Sequence, residues 1–171
     1  MGSRGVPARI RWAVERLPVE LLSSVLEIGC GSGAAAQLVC DLLDPGTLTA
    51  LDRSETAIRR TAERNPDHLA SGRLRLVTGE LASLDADVGA FDLAFAVNVN
   101  LFWTRDPAAE LAVLDHVIRP GGTLHLFYDA GPAGTADKVL SPIRLAFDGT
   151  PFEQTRAIMD DTGYAISFRR L

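Results

Sequence analysis

Three glycines at alternate positions, Gly29, Gly31 and Gly33, follow directly on the run Val25-Leu26-Glu27-Ile28 and lead into the small-residue stretch that begins at Ala34. A backbone without Cβ atoms turns tightly and admits a ligand to van der Waals contact, and a helix start offers N–H groups that lack intrahelical acceptors. The chemistry this suits is the binding of a nucleotide-like ligand. Two carboxylates accompany the loop: Glu27, two residues before the first glycine, and Asp52, at the end of the next apolar run. Gly29, Gly31 and Ala34 also fit the dinucleotide pattern G-x-G-x-x-G/A, with Asp52 about 20 residues on as the ribose acid. Spacing alone leaves both readings open. Glu27 tips the balance, because a carboxylate there would add negative charge beside a pyrophosphate but suits a ligand that bears an ammonium and a sulfonium.

The elements that carry these residues alternate. Pro7 to Leu17 has apolar residues at helical spacing (Ile10, Ala13, Val14, Leu17), and Ser24 to Ile28 reads as a first strand. Ala34 to Leu43 is a helical pattern stopped by Asp44-Pro45-Gly46, and Thr47 to Leu51 a second strand. Ser54 caps a helix to about Glu63, and Leu74 to Thr78 is strand three. Phe91 to Val97, a helix from Pro107 to Ile118, the stop Arg119-Pro120-Gly121-Gly122 and a strand from Thr123 to Tyr128 complete the cycle. Helices are expected near Ala136 to Phe147 and Pro151 to Asp161, with a last strand at Tyr164 to Arg169. Such alternation predicts an α/β fold: a Rossmann-like, doubly wound, mostly parallel sheet covered by helices on both faces, with ligands at the carboxyl ends of the strands.

Composition bounds the function. The 171 residues are 47% apolar and 23% charged, which describes one domain with a core large enough to need neither disulfide nor metal. Cys30 and Cys40 are too few for a disulfide framework and lack further ligands at metal spacing, so no metal site is expected and a reducing, cytoplasmic setting fits. The net charge of −5 argues against a nucleic-acid surface. No apolar run of about 18 residues occurs, and Met1 to Pro7 has no apolar signal core, so a soluble chain without membrane attachment is expected.

With these residues in place, the sequence resembles the class I S-adenosylmethionine-dependent methyltransferases, in particular the small-molecule type whose first motif reads Glu-x-Gly-x-Gly-x-Gly. The likeness runs from about Ser24 to Asp129. It implies that Glu27, Gly29, Cys30, Gly31 and Gly33 surround the methionine and ribose portion of S-adenosylmethionine, and that Asp52 accepts both ribose hydroxyls while Arg53 lies by the adenine. It further implies that the Gly79-Glu80-Leu81 turn meets the adenine edge, with Glu80 where Asp is usual, and that Asn98 lines the methionine end. Asn98-Val99-Asn100-Leu101 lacks the Asn/Asp-Pro-Pro-Tyr/Phe turn of the nucleic-acid amino methyltransferases, which favours a small-molecule acceptor.

Methyl transfer is a direct displacement in which the protein aligns nucleophile, methyl and sulfur and excludes water, releasing S-adenosylhomocysteine. If the acceptor must lose a proton, Asp129 and Tyr128 at the end of strand five are the nearest catalytic groups by topology, with Asp129 preferred for its pKa. Trp12, Asn100, Phe102 and Trp103 are candidates for the acceptor pocket, and core packing is the competing account of the aromatic members. A turn or capping role competes for Asp52, and His125 reads as a satisfied core histidine. Families of this type usually end in two further strands, whereas one is expected here, so the sheet is expected to lack one edge strand or the natural chain to be longer. With no lid domain, the pocket is open, completed by the leading helix or closed by a second copy, which leaves a homodimer as an option. Two other functions stay in view: a cofactor-binding partner or regulator of the same fold without transfer activity, and an NAD-dependent oxidoreductase.

Overall fold

The computed structural model describes residues 5–171. The reading of Met1 to Pro7 therefore falls in part on residues outside those described. Helix α1 (Ala8–Val14) leads into β1 (Ser24–Ile28), then α2 (Ala34–Leu42), β2 (Thr47–Asp52), α3 (Glu55–Arg64), α4 (Pro66–Ala70) and β3 (Leu74–Thr78). Two 3₁₀ turns, Leu81–Ser83 and Ala86–Val88, precede β4 (Phe91–Val97), which is followed by α5 (Leu101–Thr104) and α6 (Ala108–Val117). The chain continues with β5 (Ile118–Asp129), α7 (Thr135–Phe147), β6 (Phe152–Met159) and β7 (Gly163–Arg170). Among the described residues no helix is long and apolar enough to cross a membrane.

All seven strands join one sheet in the order β3-β2-β1-β4-β5-β7-β6. β1 to β5 run parallel, so their carboxyl ends share one edge, and β7 lies antiparallel to both β5 and β6. The strand order reverses between β1 and β4, which opens a crevice at their carboxyl ends. Alternation along β1 divides the core: Val25 packs under α1 and α2, while Leu26 and Ile28 join the cluster under α6 and α7. Ser54 caps α3 by accepting from the Ala57 N–H at 3.3 Å, with Glu55 in the first, positive turn.

The sheet departs from expectation at its far edge. The segment Pro151 to Asp161, expected as a helix, is strand β6, so the edge strand expected to be missing is present. A bulge between Gln154 and Arg156 breaks the period of two, and most of β6 faces solvent, so its sequence carries neither clean alternation nor an apolar run. β7 is covered on both faces and shows the apolar run that made it legible. The Arg119–Gly122 stop lies within a longer β5, in a stretch where the register against β4 shifts between Phe91 and Leu93.

His125 sits in the middle of β5, 8% exposed, with Nδ1 at 2.9 Å from the Ser167 hydroxyl and Nε2 at 2.9 Å from the Thr123 hydroxyl. Burial, with a smaller push from Arg156, lowers its pKa to about 4 from the ordinary 6.5. The folded state then binds fewer protons than the unfolded state between those values. Its contribution to stability is full above pH 6.5 and is lost as pH falls towards 4, a change on the order of 3 kcal/mol. Urea unfolding of wild type and His125→Gln between pH 7 and pH 4 should show this acid-side loss in the wild type and not in the variant.

Candidate functional site

The β1–α2 loop is held against the end of β2 by backbone bonds. Gly29 N–H and Cys30 N–H both donate to the Leu51 carbonyl, at 2.8 and 3.1 Å. The Asp52 carboxylate accepts from Gly31 N–H at 3.0 Å and from Ser54 N–H at 2.9 Å, which joins the loop to the start of α3. Gly31 has φ +56°, and a Cβ there would meet only open space, so the left-handed conformation rather than crowding demands glycine. Gly33 differs. A Cβ on it would lie 2.7 Å from Thr61 Cα, so this glycine permits α3 to pack against the loop, and Asn65 Nδ2 donates to its carbonyl at 3.1 Å. Cys30 is buried behind the loop and accepts from the Thr61 hydroxyl at 3.3 Å; burial first, then Glu27, pushes its thiol up to about 12. It is a packed thiol without nucleophilic character at neutral pH.

In front of the loop lies a cleft of about 580 Å³ at the carboxyl ends of β1 to β4. Of the residues expected at the site, Gly29, Asp52, Arg53 and Asn98 line it, as do Gly79, Glu80, Leu81 and Asn100. Glu27 is not among the lining residues: it is 3% exposed, and its Oε2 has no hydrogen-bond partner among the described residues. Burial first, then the Asp52 charge, raises its pKa to about 8 from 4.5. Asn98 adopts φ +57°, and its side-chain oxygen accepts from the Asp129 N–H at 2.9 Å, so it ties the end of β4 to the end of β5.

The remaining candidates stand apart from that cleft. Tyr128 is buried, stacks on Tyr164 at 5.6 Å and donates its hydroxyl to the Val99 carbonyl at 3.2 Å. Burial, helped by Tyr164, raises its pKa. The Asp129 side chain is 46% exposed, 3.8 Å from Arg9 Nε. It precedes the Ala130–Gly134 loop, which with Met159, Asp160 and Tyr164 walls a second depression of about 320 Å³. Trp12 bonds Asp160 through Nε1 at 2.7 Å and meets Phe127 edge-on at 5.7 Å. Phe102 is fully buried near Phe147, and Trp103 packs against the same cluster.

Sequence reading missed Thr104, Arg105 and Glu110 in the cleft wall. A signal existed for one of them. Glu110 shares one helix face with Leu114 and Val117, so a charged residue occupies a position where an apolar one would pack. Arg105 and Glu110 form an ion pair in which Nη2 donates to Oε1.

The residues present suit an adenosyl ligand with a cationic end. The unpartnered buried Glu27 oxygen could accept an ammonium, the open Gly31 backbone could admit a close approach, and Asp52 could receive hydroxyls beside the loop.

Residues 25–122 match the family described as "Methyltransferase domain". The chain is similar to the trans-aconitate 2-methyltransferase of Deinococcus radiodurans, 27% identical over 147 residues that cover 85% of this chain and 52% of that protein. It is similar to the malonyl-[acyl-carrier protein] O-methyltransferase of a Paenibacillus species, 31% identical over 110 residues, 63% of this chain and 39% of the relative. The chain thus spans about half the length, or less, of these curated relatives. In fold it is similar to a SAM-dependent methyltransferase from Aquifex aeolicus, with TM-score 0.78, 14% identity and coverage of 95% of this chain and 89% of that one.

Glu27 makes stability depend on pH in the sense opposite to His125. Its folded pKa is raised, so the fold holds a proton that the unfolded chain has lost, and stability present below pH 4.5 declines as pH rises through 8. Denaturant unfolding without ligand at pH 5 and pH 8.5 should show a decline on the order of 4 kcal/mol from this group in the wild type, and Glu27→Gln should abolish that decline.

Proposed function

Because the chain belongs to the class I S-adenosylmethionine-dependent methyltransferase family, we propose that it transfers a methyl group from S-adenosylmethionine to a small-molecule acceptor. The observation that carries this reading is a buried Glu27 carboxyl with an unpartnered oxygen, which a cation would hold ionised, two residues before the glycine loop that Asp52 clamps. An acid in that place is costly to the empty protein and complementary to a cation. A pyrophosphate offers that acid no positive partner and would oppose its ionisation, which disfavours NAD.

S-adenosylmethionine supplies, when bound, an electrophilic methyl on a sulfonium leaving group that needs no acid to depart. The chain's part is binding and alignment. Glu27 would hold the ammonium and Asp52 the ribose hydroxyls, and the Gly79–Leu81 turn with Arg53 would flank the base. Asn98 fixes the wall of the methionine end through its bond to Asp129 N–H. The acceptor enters on the Asp129 side, over the depression walled by the Ala130–Gly134 loop and Tyr164, with Trp12 bracing the flank through Asp160. Phe102 and Trp103 act from behind by setting the course of the β4–α6 connection. Asp129, exposed at the end of β5, takes a proton from the acceptor where the reaction releases one, and Tyr128 serves as a fixed donor that positions Val99. The net charge of −5 and the small-molecule names among the relatives support an acceptor that is not a nucleic acid.

Calorimetric titration should show binding of S-adenosylmethionine and S-adenosylhomocysteine but not of NAD. Asp52→Ala should weaken both by about 10- to 100-fold, as expected for losing charge-assisted hydrogen bonds. Absence of binding by folded protein would refute the proposal. Once an acceptor with a dissociable proton is found, Asp129→Asn should lower kcat by roughly 100-fold or more with S-adenosylhomocysteine affinity unchanged; undiminished turnover would remove Asp129 as the base.

A further inference from the structure

Glu110 belongs to no part of the chemistry assigned above. It lies in the first turn of α6, is 1% exposed, and takes a core-face position with Leu114 and Val117. One carboxylate oxygen is held by Arg105; the other, Oε2, is buried without a hydrogen-bond partner among the described residues. Both residues line the cleft. α6 packs on the 3₁₀ turn that begins at Leu81, so Glu110 and the Gly79–Leu81 turn wall the same part of the cleft. A buried carboxylate oxygen without a partner, on a residue that lines the cleft, is an acceptor lacking its N–H donor.

We propose that Glu110, oriented by Arg105, reads the nucleobase: its free oxygen accepts a hydrogen bond from the exocyclic amine of the adenine bound in the cleft. The inference rests on the adenosyl-binding reading above. With the ribose at Asp52, the ring extends towards Gly79–Leu81, and its exocyclic amine carries two hydrogens, enough for Glu80 on one side and Glu110 on the other. A 6-oxo base presents an acceptor at that point. Two acceptors then face each other with no donor between them, and the buried carboxylate stays unpaired. Arg105, half-exposed at the cleft wall, is a positioning residue that fixes which oxygen is free.

The test is the ratio of dissociation constants for S-adenosylhomocysteine and S-inosylhomocysteine, measured by calorimetry on wild type, Glu110→Gln, Glu110→Asp and Glu80→Gln. The wild type should prefer the adenine compound by roughly 100-fold or more, and Glu110→Gln should cut that ratio to about tenfold or less. Glu110→Asp, which keeps the charge but withdraws it by one methylene, should give an intermediate ratio and serves if the amide variant does not fold. A wild type that binds both compounds equally overturns the proposal. So does a ratio that survives in Glu110→Gln and Glu110→Asp but collapses in Glu80→Gln, with the adenosyl reading left intact. Failure of both compounds to bind folded wild type overturns that reading as well.

Discussion

The bonds between the β1–α2 loop and the end of β2 are what the rest of the site depends on. Leu51 gives one carbonyl to two N–H groups of the loop, and the Asp52 carboxylate spans Gly31 and Ser54. Thr61 and Asn65 reach in from α3 to the loop's far side, at the Gly31 and Gly33 carbonyls. The loop is thus fixed by a strand on one side and a helix on the other, with its polar backbone largely satisfied by protein. What it turns towards the cleft is pre-shaped, so a ligand need not bear the cost of ordering it. Strand β2 must run parallel and in register with β1 for this to work, and that pairing extends from Ser24 opposite Thr47 to Ile28 opposite Leu51.

Against this rigid frame the acidic side chains are an expense that the core bears. Glu27 lies in the central region of the sheet, between β2 and β4, where a leucine would bury apolar surface and add to stability. Glu110 repeats the pattern on α6, with only one of its oxygens met by Arg105. Departures of this kind from the packing rule mark places where a sequence answers to something other than its own fold. Cys30 and His125 show the contrast. Both are buried polar groups, and each is met by hydroxyl partners within the protein.

Most of the parallel half was legible because its physical signals are local. Strands β1, β3 and β4 begin and end at the expected residues, since each is an apolar run bounded by glycine or a turn. Asp52, Gly79 and Asn98 could be placed at the cleft because residues that follow a parallel strand must lie at its carboxyl end. Legibility failed where signals were non-local. The bulged, exposed strand β6 is defined by its pairing with β7 and shows no period of its own. α5 is a single turn, too short to display periodicity, and it hid the fact that Phe102 points into the core. Arg105 and Glu110 escaped notice because their partnership depends on how α6 leaves that turn.

Asn98 holds a left-handed backbone conformation that few side chains tolerate, and its amide oxygen closes the gap to β5 at the same time. Glycine would satisfy the first requirement and lose the second, whereas most other residues would fail the first. The set of amino acids open to evolution at this position is therefore narrowed by backbone geometry before any ligand is considered. An asparagine kept here across divergent relatives would record the shape of a strand end, and the same residue could persist while the acceptor beside it changed entirely.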